Sequence, residues 1–277
     1  MTHPAFAPGH TAVVTGGASG IGLAAAKRFA SLGMAVIIAD LGMDRLAAAA
    51  LAITAAVPGA DVIYGECDVA NRDDLVALAQ GRGVDVVMNN AAVSPDTSAL
   101  GEDGWKHMLD VNLWGVINGS QAFVPQMIAR GKPGLVINTG SKQGITTPPG
   151  NPAYNVAKAG VKAYTEALQH ELRNTPDCQV SAHLLIPGFV WTGLTRRNGR
   201  TEKPAGAWTA EETVDFMMDS LETGDFYILC PDNDVPRALD EKRIAWAAGD
   251  IIENRPPLSR WHPDYAGAFK DYVGKQE

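Results

Sequence analysis

Short apolar runs rich in β-branched residues alternate along this chain with stretches of helical period, and that alternation limits the available folds more than any other feature. The runs TAVVTG (11–16), MAVIIAD (34–40), DVIYGECDV (61–69), VDVVMNNA (84–91), GLVINTG (134–140), CQVSAHLLIPG (178–188) and DFYILC (225–230) read as strands. Strands this continuously apolar belong to parallel sheets covered on both faces. Between them, helical spacing is expected over 21–33, 44–57, a short 71–80, 102–129, 153–173 and 209–222, with a further helix over 237–248. The expected architecture is α/β: a doubly wound sandwich on a seven-stranded, mostly parallel sheet with helices on both faces.

The first strand-to-helix turn is TGGASGIG (15–22). Its glycines, Gly16, Gly20 and Gly22, let backbone approach a pyrophosphate, while the helix start supplies N–H groups and a positive dipole end. The spacing is G-x-x-x-G-x-G. Such a turn is also compatible with a plain tight connection. Asp40 adds a second signal: it ends the next strand about 20 residues on, where a carboxylate accepts from ribose hydroxyls in dinucleotide-binding, Rossmann-type folds. A 2′-phosphate would meet that carboxylate as like charge. Neither Ser19 nor Leu41 brings a compensating cation, so NAD is expected over NADP.

The formal net charge of -8 argues against nucleic-acid partners and against broad attraction to anionic membranes. Cys67, Cys178 and Cys230 lie far apart, without a C-x-x-C pair, which fits a reducing compartment and no disulfide framework or zinc site. His107, His170 and His183 lack metal-ligand spacing, and no metal is expected. The first ten residues show no leader pattern, and no apolar run approaches a membrane span; a cytoplasmic protein is expected.

The glycine turn, Asp40, CDV (67–69), NNA (89–91), Ser141 and YNVAK (154–158) together resemble the short-chain dehydrogenase/reductase family of NAD(P) oxidoreductases, over about 10–195 and again at the strand near 226–230. The resemblance implies that Asp68 and Val69 hold the adenine and that Asn90 and Ala91 border the adenosine ribose. Pro187, Gly188, Val190 and Thr192, in PGFVWT, would receive the nicotinamide amide. Ser19, Ile21, Leu41 and Ala92 complete the implied cofactor contacts. Ala92 stands where the family usually has glycine, and the segment between Asp68 and Val84 is short for the family.

Tyr154 and Lys158 are four residues apart, so on a helix they share one face. A nearby ammonium favours the phenolate and lowers a tyrosine's pKa toward the working pH. The resemblance then implies roles: Tyr154 as general acid/base, Ser141 as hydrogen-bond donor to the substrate oxygen, Lys158 as tuner of Tyr154 and binder of the nicotinamide ribose, and Asn112 as anchor of a proton-relay water. Singly, each has an ordinary reading: a half-buried ring, a turn cap, a solvated amine, a satisfied amide.

Residues 1–277 are expected to form one Rossmann-type dehydrogenase domain: a cofactor-binding and catalytic core (10–195), a substrate loop and helix (188–225), and a C-terminal helix and arm (231–277). Phe189, Trp191, Leu194 and Ile145 suggest an apolar pocket wall, hence a bulky or ring-bearing secondary alcohol or ketone. A sugar or polyol dehydrogenase is the alternative within the class, and a non-catalytic dinucleotide-binding scaffold the alternative outside it. Arg196, Arg197 and Arg200 form either a solvated face or a cationic lid. Trp261 and His262 are expected to pack an arm onto the body. Apolar residues on several faces of 102–129 fit a homotetramer, with a dimer second.

Overall fold

The computed structural model describes residues 3–81, 83–196 and 201–274; Arg197 and Arg200 lie outside the described residues. Its sheet comprises β1 (Thr11–Thr15), β2 (Ala35–Asp40), β3 (Val62–Glu66), β4 (Val86–Asn89), β5 (Gly134–Thr139), β6 (Val180–Ile186) and β7 (Tyr227–Leu229). The spatial order is β3-β2-β1-β4-β5-β6-β7, and every strand pair is parallel. The order reverses between β1 and β4, so the crevice beyond the C-terminal strand ends opens there.

The helices are α1 (Gly20–Ser31), α2 (Met43–Ala56), α3 (Arg72–Ala79), α4 (Trp105–Leu109), α5 (Gly115–Ala129), α6 (Gln143–Thr146), α7 (Pro152–Asn174), α8 (Ala210–Thr223), α9 (Arg237–Ile252) and α10 (Ala266–Gly274). Strand side chains alternate between two cores because the side-chain period of a strand is 2. Ala12 and Val14 of β1 join Phe29 of α1, Leu46 of α2 and Met217 of α8 on one face. Val13 joins Leu75 of α3, Phe123 of α5 and Leu172 of α7 on the other.

Three elements differ from expectation. The stretch expected as one helix over 102–129 is interrupted by a π-helical turn, Asp110–Trp114, an arrangement often found at functional sites. The strand over 61–69 stops at Glu66, opposite Asp40, the last residue of its β2 partner. Beyond Arg255 the tail forms α10, an element the proline-rich sequence concealed. There Phe269 and Tyr272 pack their rings 5.3 and 5.2 Å from that of Trp246, so the arm lies on α9.

Candidate active site

A cavity of about 540 Å³ runs along the C-terminal strand ends. At one end lies the glycine turn. Gly16 has φ +66°, and a Cβ there would stand 2.8 Å from Ala91 Cα. Gly22 would carry its Cβ into the Gly16 carbonyl oxygen at 2.3 Å. Only hydrogen fits at either position, so the first turn of α1 closes tightly over β1. Gly16, Ser19, Gly20 and Ile21 line the cavity, whereas Gly22 supports the turn from behind. Ser19 occupies the N-cap position of α1 without a side-chain capping bond.

Asp40, at the end of β2, accepts from the Ala18 and Leu41 amides at 3.1 and 2.8 Å. Its carboxylate is thereby fixed between the glycine turn and the strand end, with both Asp40 and Leu41 on the cavity wall. Sequence reasoning missed Arg45. The first turn of α2 folds it back so that its Nη2 lies 3.8 Å from Asp40 Oδ2, on the same wall. A cation therefore stands at the position where Ser19 and Leu41 supply none.

Asp68 and Val69 follow β3 and line the cavity. Asp68 accepts from the Ala70 amide at 2.9 Å, and the Val69 carbonyl accepts from Asn118 at 3.1 Å. Asn90 and Ala91 both donate their amides to Thr15 Oγ1, at 2.9 and 3.2 Å. Asn90 also accepts from Thr139 Oγ1 at 3.3 Å. The ends of β1, β4 and β5 are thus stitched together below the cavity, and Ala92 joins its lining.

At the other end, α7 begins with Asn151 as N-cap, accepting from the Tyr154 amide at 3.4 Å, and Pro152 in the first turn. Asn151 also accepts from Thr97 Oγ1 at 2.6 Å, which fixes the loop after β4 against the helix start. Tyr154 and Lys158 project from one face into the cavity, with the Lys158 ammonium 5.8 Å from the Tyr154 ring centre. Lys158 is buried and donates to the Thr139 carbonyl at 2.7 Å. Burial pulls its pKa down to about 8. Ser141, just past β5, lines the same space, and its hydroxyl accepts from the Gln143 amide at 3.2 Å.

Asn112 does not line the cavity. It is fully buried in the π turn, accepting from the Val93 amide and donating to the Val93 carbonyl, both at 2.8 Å. It therefore holds the loop after β4 by a two-point amide clasp. Pro187, Gly188, Val190 and Thr192 close the cavity from the loop after β6, where Thr195 Oγ1 donates to the Val190 carbonyl at 2.6 Å.

The expected apolar wall is corrected in part. Leu194 lines the cavity, but Phe189, Trp191 and Ile145 do not. Ile145 packs into a core with Val161 and Leu184, and Trp191 lies under the Arg196 guanidinium at 5.0 Å. Val93, His107 and Val111 stand in the lining instead. The loop after β4, α4 and the π turn deliver them, and no local sequence pattern announces that.

The family profile described as short chain dehydrogenase matches residues 10–203. The chain is 32% identical over 247 residues to 1-deoxy-11-beta-hydroxypentalenate dehydrogenase of Streptomyces avermitilis, covering 85% of this chain and 90% of that protein. It is 31% identical over 201 residues to 3beta-hydroxysteroid dehydrogenase 2 of Eggerthella lenta, covering 69% and 75%. Among solved structures, a short chain dehydrogenase/reductase from Burkholderia phymatum in complex with NAD superposes with a TM-score of 0.81 at 29% identity, covering 93% of this chain and 98% of that one.

The chain belongs to the short-chain dehydrogenase/reductase family. It is an oxidoreductase acting on hydroxy or keto groups, from a family that binds nicotinamide dinucleotides. No helix among the described residues is long and apolar enough to cross a membrane.

Proposed function

We propose that this protein is an NAD-dependent alcohol dehydrogenase or ketone reductase acting on a bulky, ring-bearing secondary alcohol, with Tyr154 as general acid/base. The observation that carries this reading is the convergence of Ser141, Tyr154 and Lys158 on one cavity whose far end is formed by the glycine turn and Asp40. The residues fit the cofactor on structural grounds. Gly16 and Gly22 stand where any Cβ would collide with the backbone that shapes the cradle, the start of α1 offers a favourable field for a diphosphate, and Asp40 has carboxylate lone pairs left for ribose hydroxyls.

When bound, the nicotinamide supplies the hydride acceptor or donor. Tyr154 takes the alcohol proton in oxidation and returns it in reduction. Lys158 favours the tyrosinate through its charge and offers N–H donors toward the ribose. Ser141 donates to the substrate oxygen as charge develops there. Leu194, Val93 and Val111 support an apolar substrate body, in keeping with the ring-bearing alcohols that the names of the two dehydrogenase relatives describe.

Arg45 favours a second reading of the cofactor, because a guanidinium beside Asp40 offers a partner for a 2′-phosphate. Parallel fluorescence titrations with NADH and NADPH test the choice. Tight NADH binding with weak NADPH binding is expected, followed by turnover of bulky secondary alcohols with NAD; preferential NADPH binding would reverse the cofactor assignment. A homotetramer, with a dimer second, is the proposed assembly. Exposed Trp114 and Val156 beside α5 and on α7 support it, and light scattering on the purified protein tests it.

A further inference from the structure

Next to Ser141, the side chain of Lys142 turns away from the cavity into a buried cluster of charge. Its ammonium lies 3.1 Å from Asp232 Oδ2 and 2.5 Å from Asp240 Oδ2. Both carboxylates are buried, Asp232 in the loop after β7 and Asp240 on the first turn of α9. Asp232 Oδ2 also accepts the Phe189 amide at 3.2 Å, inside the loop after β6. The Lys142 amide meanwhile donates to the Pro187 carbonyl at 3.3 Å.

Between them lies Gly188. A Cβ there would stand 2.4 Å from Asp232 Oδ2 and 2.7 Å from Lys142 Nζ. The loop is therefore pressed onto the ion pair with no room for a side chain. Two buried carboxylates around one ammonium are costly unless each charge is partnered. The ammonium reaches both carboxylates, and Asp232 the Phe189 amide, with the Ser141 turn, the Pro187–Val190 loop and the start of α9 in one fixed relation, while Arg243 of α9 offsets the remaining charge at Asp240.

We propose that Lys142, acting through Asp232, is a positioning residue. It sets the Ser141 turn and the Pro187–Val190 loop at the separation the nicotinamide end of the cavity requires, and Asp240 holds its ammonium in place. This rests on the dehydrogenase reading above. The Tyr154 end of the cavity is bounded by these two loops, whereas the adenosine end is built from β1, β2 and β4. Disturbing the cluster should therefore act on one end of the cofactor.

The test compares NADH with ADP-ribose, which lacks only the nicotinamide, by tryptophan fluorescence on wild type, Lys142→Met, Asp232→Asn and Asp232→Ala. Lys142→Met is expected to weaken NADH about tenfold and leave ADP-ribose within about twofold. Asp232→Asn, which keeps an acceptor for the Phe189 amide, is expected to lose less than Asp232→Ala; this rescue separates positioning from bulk stability and stands even where Lys142→Met does not fold. If wild type binds both ligands and the variants weaken both equally, or neither, the positioning role falls and the dehydrogenase reading stands. If wild type binds neither ligand, the cofactor reading falls and takes this proposal with it.

Discussion

The buried ammonium of Lys158 donates to the main-chain carbonyl of Thr139 at 2.7 Å. That bond joins the second turn of α7 to the last residue of β5, on the wall of the cavity. Burial lowers the lysine pKa from 10.5 to about 8. Between those values the unfolded chain binds more protons than the folded one, so stability rises with pH across that window. The whole effect is roughly 3 kcal/mol, at about 1.4 kcal/mol per unit. Urea unfolding of wild type and Lys158→Met should show their stability difference moving in favour of wild type as pH rises from 7 toward 10.5. A pH-independent difference would mean that the amine carries no such burden.

Tyr154→Phe keeps the ring and removes the titrating hydroxyl. With NAD and an alcohol that the wild type oxidises, kcat is expected to fall by about 10²–10⁴-fold, the usual range for loss of a general acid/base. NADH affinity should change by no more than about twofold. Appreciable turnover by the variant would remove Tyr154 from proton transfer.

Asp40→Asn keeps an oxygen for the Ala18 or Leu41 amide and discards the charge. The NADPH-to-NADH affinity ratio is expected to rise by about tenfold or more, because a like charge no longer faces the 2′-phosphate. Adding Arg45→Ala should reverse most of that gain. Titrations giving the same ratio for wild type and Asp40→Asn would rule out the carboxylate as the selector.

Gly22→Ala places a methyl 2.3 Å from the Gly16 carbonyl, although Gly22 does not line the cavity. The turn must shift, and the expected cost is roughly 1–3 kcal/mol of stability, as for other overpacked sites. NADH binding should weaken at least tenfold with the far-UV circular dichroism unchanged. Retained affinity would show that the cradle tolerates a displaced helix start.

What the sequence revealed and what it hid divide along a physical line. The sheet was legible because each strand announces itself by a local run of apolar residues. Tyr154 and Lys158 were legible because helix geometry alone puts positions four apart on one face. Arg45 was hidden, since it reaches Asp40 only after α2 folds back over the end of β2. The π turn was hidden too, because the helical period of 102–129 gives no sign of the extra residue that sets Asn112 against Val93. Phe189 and Trp191 misled: neither aromatic lines the cavity, and Trp191 stacks under Arg196 instead. The same remoteness concealed the Lys142 cluster, whose carboxylates, Asp232 and Asp240, lie 90 and 98 residues along the chain.

Because every strand pair is parallel, no strand pairing among the described residues joins near neighbours in sequence. The Thr11 amide finds Asp85 across 74 residues, and Thr15 meets Asn90 across 75. Long-range pairings of this kind are slow to form, since chain closure must precede the contacts that reward it. The proposed dinucleotide cradle, assembled from the ends of β1, β2 and β4, comes into being only once those strands are in register. A cofactor bound there would therefore stabilise a state that exists only late in folding. Its kinetic signature is a slower unfolding rate with little change in refolding, so cofactor supply acts on the lifetime of the folded chain rather than on its production.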